Sequence, residues 1–335
     1  GRSGDDWAKE LAGAKAQGFT PQEVVSDAGL GIKAGLKQEL SKAEHRDDCF
    51  HAAYELGKVL SRLERSAYAT IGQEEEAAKD LKKNAAQGAD QRGAAQRLRR
   101  AQERCNVAIK LFDSFETETQ RVREALEAVD VRTQQLRSPE EMARELGQRA
   151  ARIRSLHDAS CKKVGRYLKN RIPGLVLYCK EMYEAFGELG KCWDPEAVRY
   201  AALVWQAAEL LHHGRQRWNR PAQKAALANG WSELRRRLAL EPAGTLLALV
   251  EQLFLKRHRA SSALEGFHAG IRPHLYVHKG VSQGFLELYR TYYNLHTTRS
   301  GRNKGTSAYE RLTGQKVEDW LTLLGYPPSA AASRN

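Results

Sequence analysis

Residues 98–136, LRRAQERCNVAIKLFDSFETETQRVREALEAVDVRTQQL, decide the fold class. Their apolar or small side chains fall at Leu98, Ala101, Cys105, Ala108, Phe112, Phe115, Thr119, Val122, Leu126, Val129, Thr133 and Leu136, in alternating steps of three and four. Steps of that kind keep one seam on one face of a helix. Upstream, Leu56, Leu60, Leu63, Ala67, Thr70, Ala77 and Leu81 hold the same register, and Gln87-Gly88-Ala89-Asp90-Gln91-Arg92-Gly93 lies between the two stretches. A glycine-bearing turn between two helical seams predicts a long antiparallel hairpin, with helices over about 52–86 and 92–136. Both seams are rich in Ala and Thr, so the helices are expected to pack closely while gaining less from burial than a leucine seam would.

Downstream, Ser138-Pro139-Glu140-Glu141 supplies an N-cap, a proline at the first helical position and a glutamate at the third, which together start a helix. That helix is expected to run to about Lys169 and to break at Pro173-Gly174. Asp194-Pro195-Glu196 starts another by the same logic, and Asn219-Arg220-Pro221, Asn229-Gly230 and Glu241-Pro242 punctuate shorter ones. From 52 to about 258 nothing alternates with period two. Strand signals lie near the start: Val24-Val25-Ser26-Asp27 closes a short β-branched run, a helical stretch follows to about Lys42, and Asp48-Cys49-Phe50-His51 reads as a second short strand. The predicted fold class is mostly α with a small α/β part.

The 335 residues are ample for a buried core, and by length make roughly two domains. Lys and Arg number 54 against 41 Asp and Glu, a net charge of +13, so polyanions, nucleic acid first among them, are the expected partners. The excess is uneven: residues 1–90 carry 13 basic and 16 acidic groups, whereas 162–240 carry 15 and 7. The odd set Cys49, Cys105, Cys161, Cys179 and Cys192 contains no C-x-x-C pair, which argues against a disulfide framework or zinc ribbon and for a reducing compartment. No apolar run approaches the ~20 residues of a membrane span, so no membrane is expected as a partner. The opening Gly-Arg-Ser-Gly-Asp-Asp lacks signal-peptide features, and the chain is expected to be a piece of something longer.

Two acids stand out chemically. Asp27 ends a strand and precedes Gly29 and a helix, where open α/β sheets bind ligands, although such an Asp also serves simply to cap the next helix. Glu265 falls within Ser261-Ser262-Ala263-Leu264-Glu265-Gly266-Phe267-His268. On a helix Leu264, Phe267 and Ile271 form one stripe, with Ser261, Glu265, His268 and Arg272 on a polar one beside it.

Taken in order, these segments resemble the DDE transposases of the ribonuclease H-like fold. Val24 to Gly29, followed by Gly31-Ile32-Lys33, looks like their strand bearing the second catalytic Asp, and Trp7 through Gly18 like the helix before it. Asp48-Cys49-Phe50-His51 resembles the C/D-x-x-H signature of families with an all-helical insertion, and Ser261 to His268 resembles the helix with the third acid. The tail, Tyr292-Tyr293-Asn294-Leu295 through Lys304-Gly305-Thr306-Ser307-Ala308-Tyr309-Glu310-Arg311-Leu312-Thr313-Gly314, is similar to an ending common in bacterial transposases. The resemblance implies an incomplete ribonuclease H-like core interrupted by a helical insertion: a partial core over 1–51, an insertion over 52–252 containing the hairpin 52–136, and a core helix and tail over 253–335. It implies metal-dependent DNA cleavage and strand transfer at transposon ends, with Asp27 and Glu265 as catalytic ligands to Mg²⁺ or Mn²⁺, and Asp48 and His51 orienting DNA. DNA (transposon ends and target) and further copies of the chain are the implied partners, and the bacterial cytoplasm, at the nucleoid, the implied location. Asp5 and Asp6 lie too close to Asp27 to be the first acid, so the complete triad is expected only in a longer parent.

For DNA contact the basic cluster Arg215, Arg217, Arg220, Arg235 and Arg236, with Trp218 interleaved and Arg272 further on, could neutralise phosphates while an indole stacks a base. Tryptophans of this kind also serve as core, and arginines as a solvated face. The rival reading is a non-enzymatic basic helical nucleic-acid-binding or assembly module. A coiled-coil scaffold without DNA affinity is weaker, because residues 162–240 are so basic.

Overall fold

In a computed structural model the described residues are 3–27, 29–89, 91–256, 262–299, 303–317 and 319–326. The side chains of 262–265, 278 and 320 lie outside the description. The chain divides into two compact units, Gly1–Ser261 and Ser262–Asn335. It is 76% helix, with thirteen α-helices and two two-stranded sheets among the described residues.

The first unit opens with α1 (Gly4–Ala16), β1 (Glu23–Ser26), α2 (Leu30–Glu39) and β2 (Glu44–Asp47). The strands pair in parallel, Glu23 opposite Glu44 and Ser26 opposite Asp47, with α2 as the crossover. A parallel pair needs such a connection, and the expected small α/β part takes this form. The second strand lies four residues earlier than expected. Asp48-Cys49-Phe50-His51 is not extended: the Asp48 carboxylate accepts the His51 N–H at 3.0 Å and caps α3 (Cys49–Ala86). Asp at a helix N-cap satisfies an amide that otherwise has no partner, and here that outweighs the strand-like composition.

Helix α3 and α4 (Arg92–Ala125) form the long hairpin, turning at Gly88 with φ +64°. Phe115 and Val122 of the predicted seam are buried in one cluster with Leu56 and Leu63, and Thr119 of the seam is buried as well. The second helix is shorter than predicted. Its chain reverses after Ala125 into β3 (Val129–Asp130) and β4 (Gln135–Leu136), an antiparallel ribbon where no strand was expected. The reversal is held partly from elsewhere in the sequence. Gln206, buried, accepts the Val129 N–H at 3.0 Å and donates to the Val129 carbonyl at 2.7 Å. The Arg137 guanidinium donates to the Glu127 carbonyl at 3.3 Å, Asp130 accepts the Arg132 and Thr133 amides, and Gln134 turns through φ +61°.

Helix α5 (Pro139–Ser155) starts with the predicted capping box, Ser138 and Glu141 each accepting the other's backbone N–H. It ends fourteen residues before Lys169. Asp158 then caps α6 (Ala159–Leu189), accepting the Ser160 and Cys161 amides and binding Arg62 at 2.6 Å. Helix α6 runs straight through Pro173-Gly174, so the expected break is overturned. A mid-helix proline costs ~3 kcal/mol, but Leu168 and Leu175 flank it fully buried and hold both halves against neighbours. Asp194-Pro195-Glu196 does start α7 (Pro195–His212), and Asn219-Arg220-Pro221 starts α8 (Arg220–Arg237) after one turn of 3₁₀ helix. Asn229-Gly230 breaks nothing: it lies inside α8, with Gly230 against Val204 of α7. Glu241-Pro242 sits in the first turn of α9 (Leu240–Lys256).

Two clusters form the core. One joins Leu56, Phe115, Met142, Leu146, Leu168 and Leu175 at the base of the hairpin. The other joins Met182, Phe186, Leu203, Leu234, Leu246 and Phe254, with Trp205 stacked on Phe254 at 4.0 Å. Helix α6 serves both, with Cys161 to Leu175 and Cys179 in the former and Tyr178, Met182 and Phe186 in the latter.

The second unit comprises α10 (Ser262–His278), α11 (Gln283–Leu295), α12 (Ala308–Thr313) and α13 (Trp320–Leu323). Phe267 meets Tyr289 and Tyr293 edge-on at 5.2 and 5.3 Å. The tail motif has a local structural role: Ser307 and Glu310 form a capping box, and Gly314 closes α12 at φ +74°, so the helix is capped at both ends. Among the described residues no helix is long and apolar enough to cross a membrane.

Candidate functional site at the carboxyl edge of the parallel strands

Strand ends and the start of α3 converge beyond Ser26 and Asp47, where Asp27 and Asp48 each follow the last paired residue of their strand. Asp48 N–H donates to the Ser26 carbonyl at 2.9 Å and carries the ladder one step further. Asp27 is exposed; its Oδ1 accepts the Gly29 N–H at 3.1 Å, and no cation pairs with it among the described residues. Asp48 is buried, one oxygen engaged by the cap. His51, one turn into α3, holds Nε2 3.4 Å from Glu55, which also binds Lys58 at 2.5 Å.

Sequence reasoning passed over the residue between these two acids and its surroundings. Asp47, 6% exposed, lies 3.3 Å from Lys33 Nζ and 3.6 Å from the Arg171 guanidinium. A Cβ on Gly174 would come within 2.6 Å of the Asp47 carboxyl carbon, so only glycine lets α6 approach the end of β2 this closely. The signal was in the sequence as Pro173-Gly174, where the glycine marks a contact and not a break. His45 Nε2 sits 2.7 Å from the Ser26 hydroxyl. Burial pushes the His45 imidazole pKa down, with the Asp47 charge opposing. Beside them Tyr167 lies under Arg171, 5.2 Å from ring centroid to guanidinium carbon. Burial raises its phenol to about 12, Arg171 opposing and the charges of Glu55, Asp47 and Asp27 adding to the rise. The edge thus gathers three carboxylates with different duties: Asp47 neutralised by two cations, Asp48 tied to a helix cap, and Asp27 open to solvent.

At the opposite end of the same strands Glu23, Glu44 and Glu181 bring carboxylate oxygens within 4.8 Å of one another. The buried Arg46 guanidinium already binds Glu23 and, at 3.0 Å, Glu181, so an internal cation serves this cluster.

Glu265 falls in α10 of the second unit, and its side chain lies outside the described residues, as does Ser261. Arg272, in the same helix, is exposed and has interactions of its own. The basic cluster is split in character. Arg215, Arg217 and Arg220 are exposed and without an ion-pair partner among the described residues. Arg236 pairs with Glu233 at 2.6 Å, and Arg235 lies over the Trp231 ring at 5.5 Å. Trp218 is half-buried and donates its indole N–H to Glu124 at 2.9 Å, with Arg123 over its ring at 5.9 Å. Glu124 in turn binds Arg121 at 2.9 Å and Arg132 at 3.1 Å. Burial raises the Glu124 carboxyl, but hydrogen bonds from Arg132 and Trp218 and the Arg132 charge outweigh it and hold the pKa below the ordinary value.

No protein-family model, curated protein or solved structure matches this chain.

Proposed function

We propose that the chain is the catalytic portion of a DDE-type DNA transposase, whose ribonuclease H-like core is interrupted by the helical block that begins at α3. The observation that carries this reading is Asp27: an exposed carboxylate without a cation partner, at the carboxyl edge of a parallel βαβ pair, one step from the point where the chain leaves the strands for two hundred residues of helix. Carboxylate oxygens suit Mg²⁺ or Mn²⁺, which bind hard donors and keep several waters. Asp27 and Glu265 would hold such ions, and the ions would supply charge stabilisation at a DNA phosphodiester. Asp48 and His51 would orient the strand beside them. Arg215, Arg217 and Arg220 would take backbone phosphates, joined by Arg235, Arg236 and Arg272, with Trp218 bracing that surface through Glu124.

The engagement of Asp47 by Lys33 and Arg171 and of Asp48 by the α3 cap favours a second reading, a basic helical nucleic-acid-binding module without catalysis. One experiment separates the two. The full-length protein is assayed for Mg²⁺- or Mn²⁺-dependent cleavage and strand joining on transposon-end DNA, alongside D27N and E265Q. The transposase reading expects activity in the parent and its abolition in each variant with DNA affinity kept. Cleavage that survives both substitutions ends it, and salt-sensitive binding with no metal-requiring step leaves the binding module.

A further inference from the structure

The first unit carries a second concentration of positive charge, in which Arg171 is answered by Asp47 and Lys180 by Glu184 while the cations nearer the start of α6 are not. Residues 159–180 of α6 contain Lys162, Lys163, Arg166, Lys169, Arg171 and Lys180 and no Asp or Glu. At the crossing of α5 and α6, Arg154, Lys162 and Arg166 line one open cleft of about 500 Å³ with Ala151 and Ser155. All three cations are exposed, and none has an ion-pair partner among the described residues. Other arginines of this unit meet carboxylates: Arg62 meets Asp158 at 2.6 Å, Arg199 meets Glu196 at 2.6 Å, and Arg237 meets Asp194 at 3.0 Å. The acid nearest the cleft in sequence, Asp158, is therefore already engaged. Packing, and not chance proximity, directs the Arg154 side chain. A Cβ on Gly165 would stand 2.5 Å from Arg154 Cγ and 3.0 Å from the Ala150 carbonyl, so glycine lets the helices touch and lays the Arg154 stem along α6.

We infer that this cleft binds backbone phosphates of double-stranded DNA. Three like charges held at one crossing without a counter-charge repel one another, and an anion with several oxygens relieves that repulsion. The lining has no aromatic ring to stack a base, and the Ser155 hydroxyl is spent on the Arg152 carbonyl at 2.7 Å. The contact is therefore with phosphate and independent of sequence. Choosing DNA among polyanions rests on the function proposed above; the site itself does not require Asp27 or Glu265.

The test is salt-dependent binding of the whole chain to a labelled DNA duplex, comparing wild type with R154Q/K162Q/R166Q and with the charge-keeping R154K/K162R/R166K. Loss of three phosphate contacts reduces the slope of log affinity against log salt by about 2 to 3 and weakens binding on the order of 10²-fold near 0.1 M salt. The charge-keeping variant retains most of the wild-type slope, and circular dichroism shows all three folded. An unchanged slope and affinity in the folded glutamine variant overturns the site. So does binding to phosphatidylserine vesicles that the glutamine variant loses while its DNA binding persists. DNA binding that needs the cleft, together with a full-length protein incapable of metal-dependent cleavage, keeps this site while the transposase reading falls; no DNA affinity in wild type removes both.

Discussion

At the scale of single residues, one distant side chain serves the reversal after α4. The Gln206 amide supplies both hydrogen bonds of the buried Val129 peptide groups. Substituting Q206L keeps the volume and removes both partners, leaving a buried N–H and a buried C=O unsatisfied. Urea unfolding should show a loss of about 2 to 4 kcal/mol, with a shifted midpoint and an unchanged m-value. A loss below about 0.5 kcal/mol would mean that the ribbon holds itself. Glu124 is a second such point, because Arg121, Arg132 and the Trp218 indole all converge on its carboxylate. Its pKa is lower folded than unfolded, so its contribution is present above the unfolded value, near 4.3, and is lost as pH falls through the folded one. E124Q should therefore be less stable than wild type at pH 7 by about 1 to 2 kcal/mol, the half-exposed arginines being partly screened. The gap should be narrower at pH 3, below the unfolded value, than at pH 7. A gap equally wide at both pH values would trace the effect to packing instead.

Among the elements, the hairpin shows what a periodic pattern reveals and what it hides. The seam from Leu56 to Val122 was legible because steps of three and four have one geometric meaning on a helix. The same steps continue through Val129, Thr133 and Leu136, where the chain has left the helix. The pattern itself does not mark the end, because Gln206, which satisfies the buried Val129 peptide groups, comes from α7, and the local Asp130 and Arg137 do not interrupt the steps of three and four. Pro173-Gly174 was misleading for a related reason: the penalty is local, but the burial that offsets it comes from contacts across the fold. The candidate site divides in the same way. Asp27 and Asp48 could be found by position, whereas Asp47 became visible only through Lys33, Arg171 and the space over Gly174. The seam also predicts uneven stability. Beyond Ala67 no residue of α3 is buried, and before Phe115 the buried residues of α4 are Ala94, Ala101 and Cys105. Each missing methylene forgoes ~0.8 kcal/mol of burial, so the outer half of the hairpin should open on its own. In hydrogen exchange, amides over 70–86 and 92–104 should be roughly tenfold or more less protected than those over 52–66 and 115–124. Equal protection along both helices would show the hairpin opening only with the whole unit.

For the whole molecule, the two hydrophobic clusters decide which part can stand alone. Every residue of both lies between Cys49 and Phe254, inside the first unit. Among the described residues of the second unit, Ile271 and Leu295 are the buried apolar side chains. A fragment of residues 1–256 thus retains both clusters and should unfold cooperatively in urea, while the isolated 262–335 segment should gain little stability from burial. The same division separates charge from proposed chemistry. The fragment keeps Arg154, Lys162, Arg166, Arg215, Arg217, Arg220 and Asp27, and loses Glu265. It should bind duplex DNA with a salt slope within about 1 of the full chain's and should catalyse no metal-dependent cleavage, even when the full-length protein does. Fluorescence anisotropy at several salt concentrations reads the first property, and a nicking assay in Mn²⁺ reads the second. If the fragment folds but its slope collapses, the dominant phosphate contacts belong to the C-terminal unit. If the fragment cleaves, the third acid is not Glu265, and a carboxylate of the first unit, with Asp48 the nearest to Asp27 along the strand ends, must take its place.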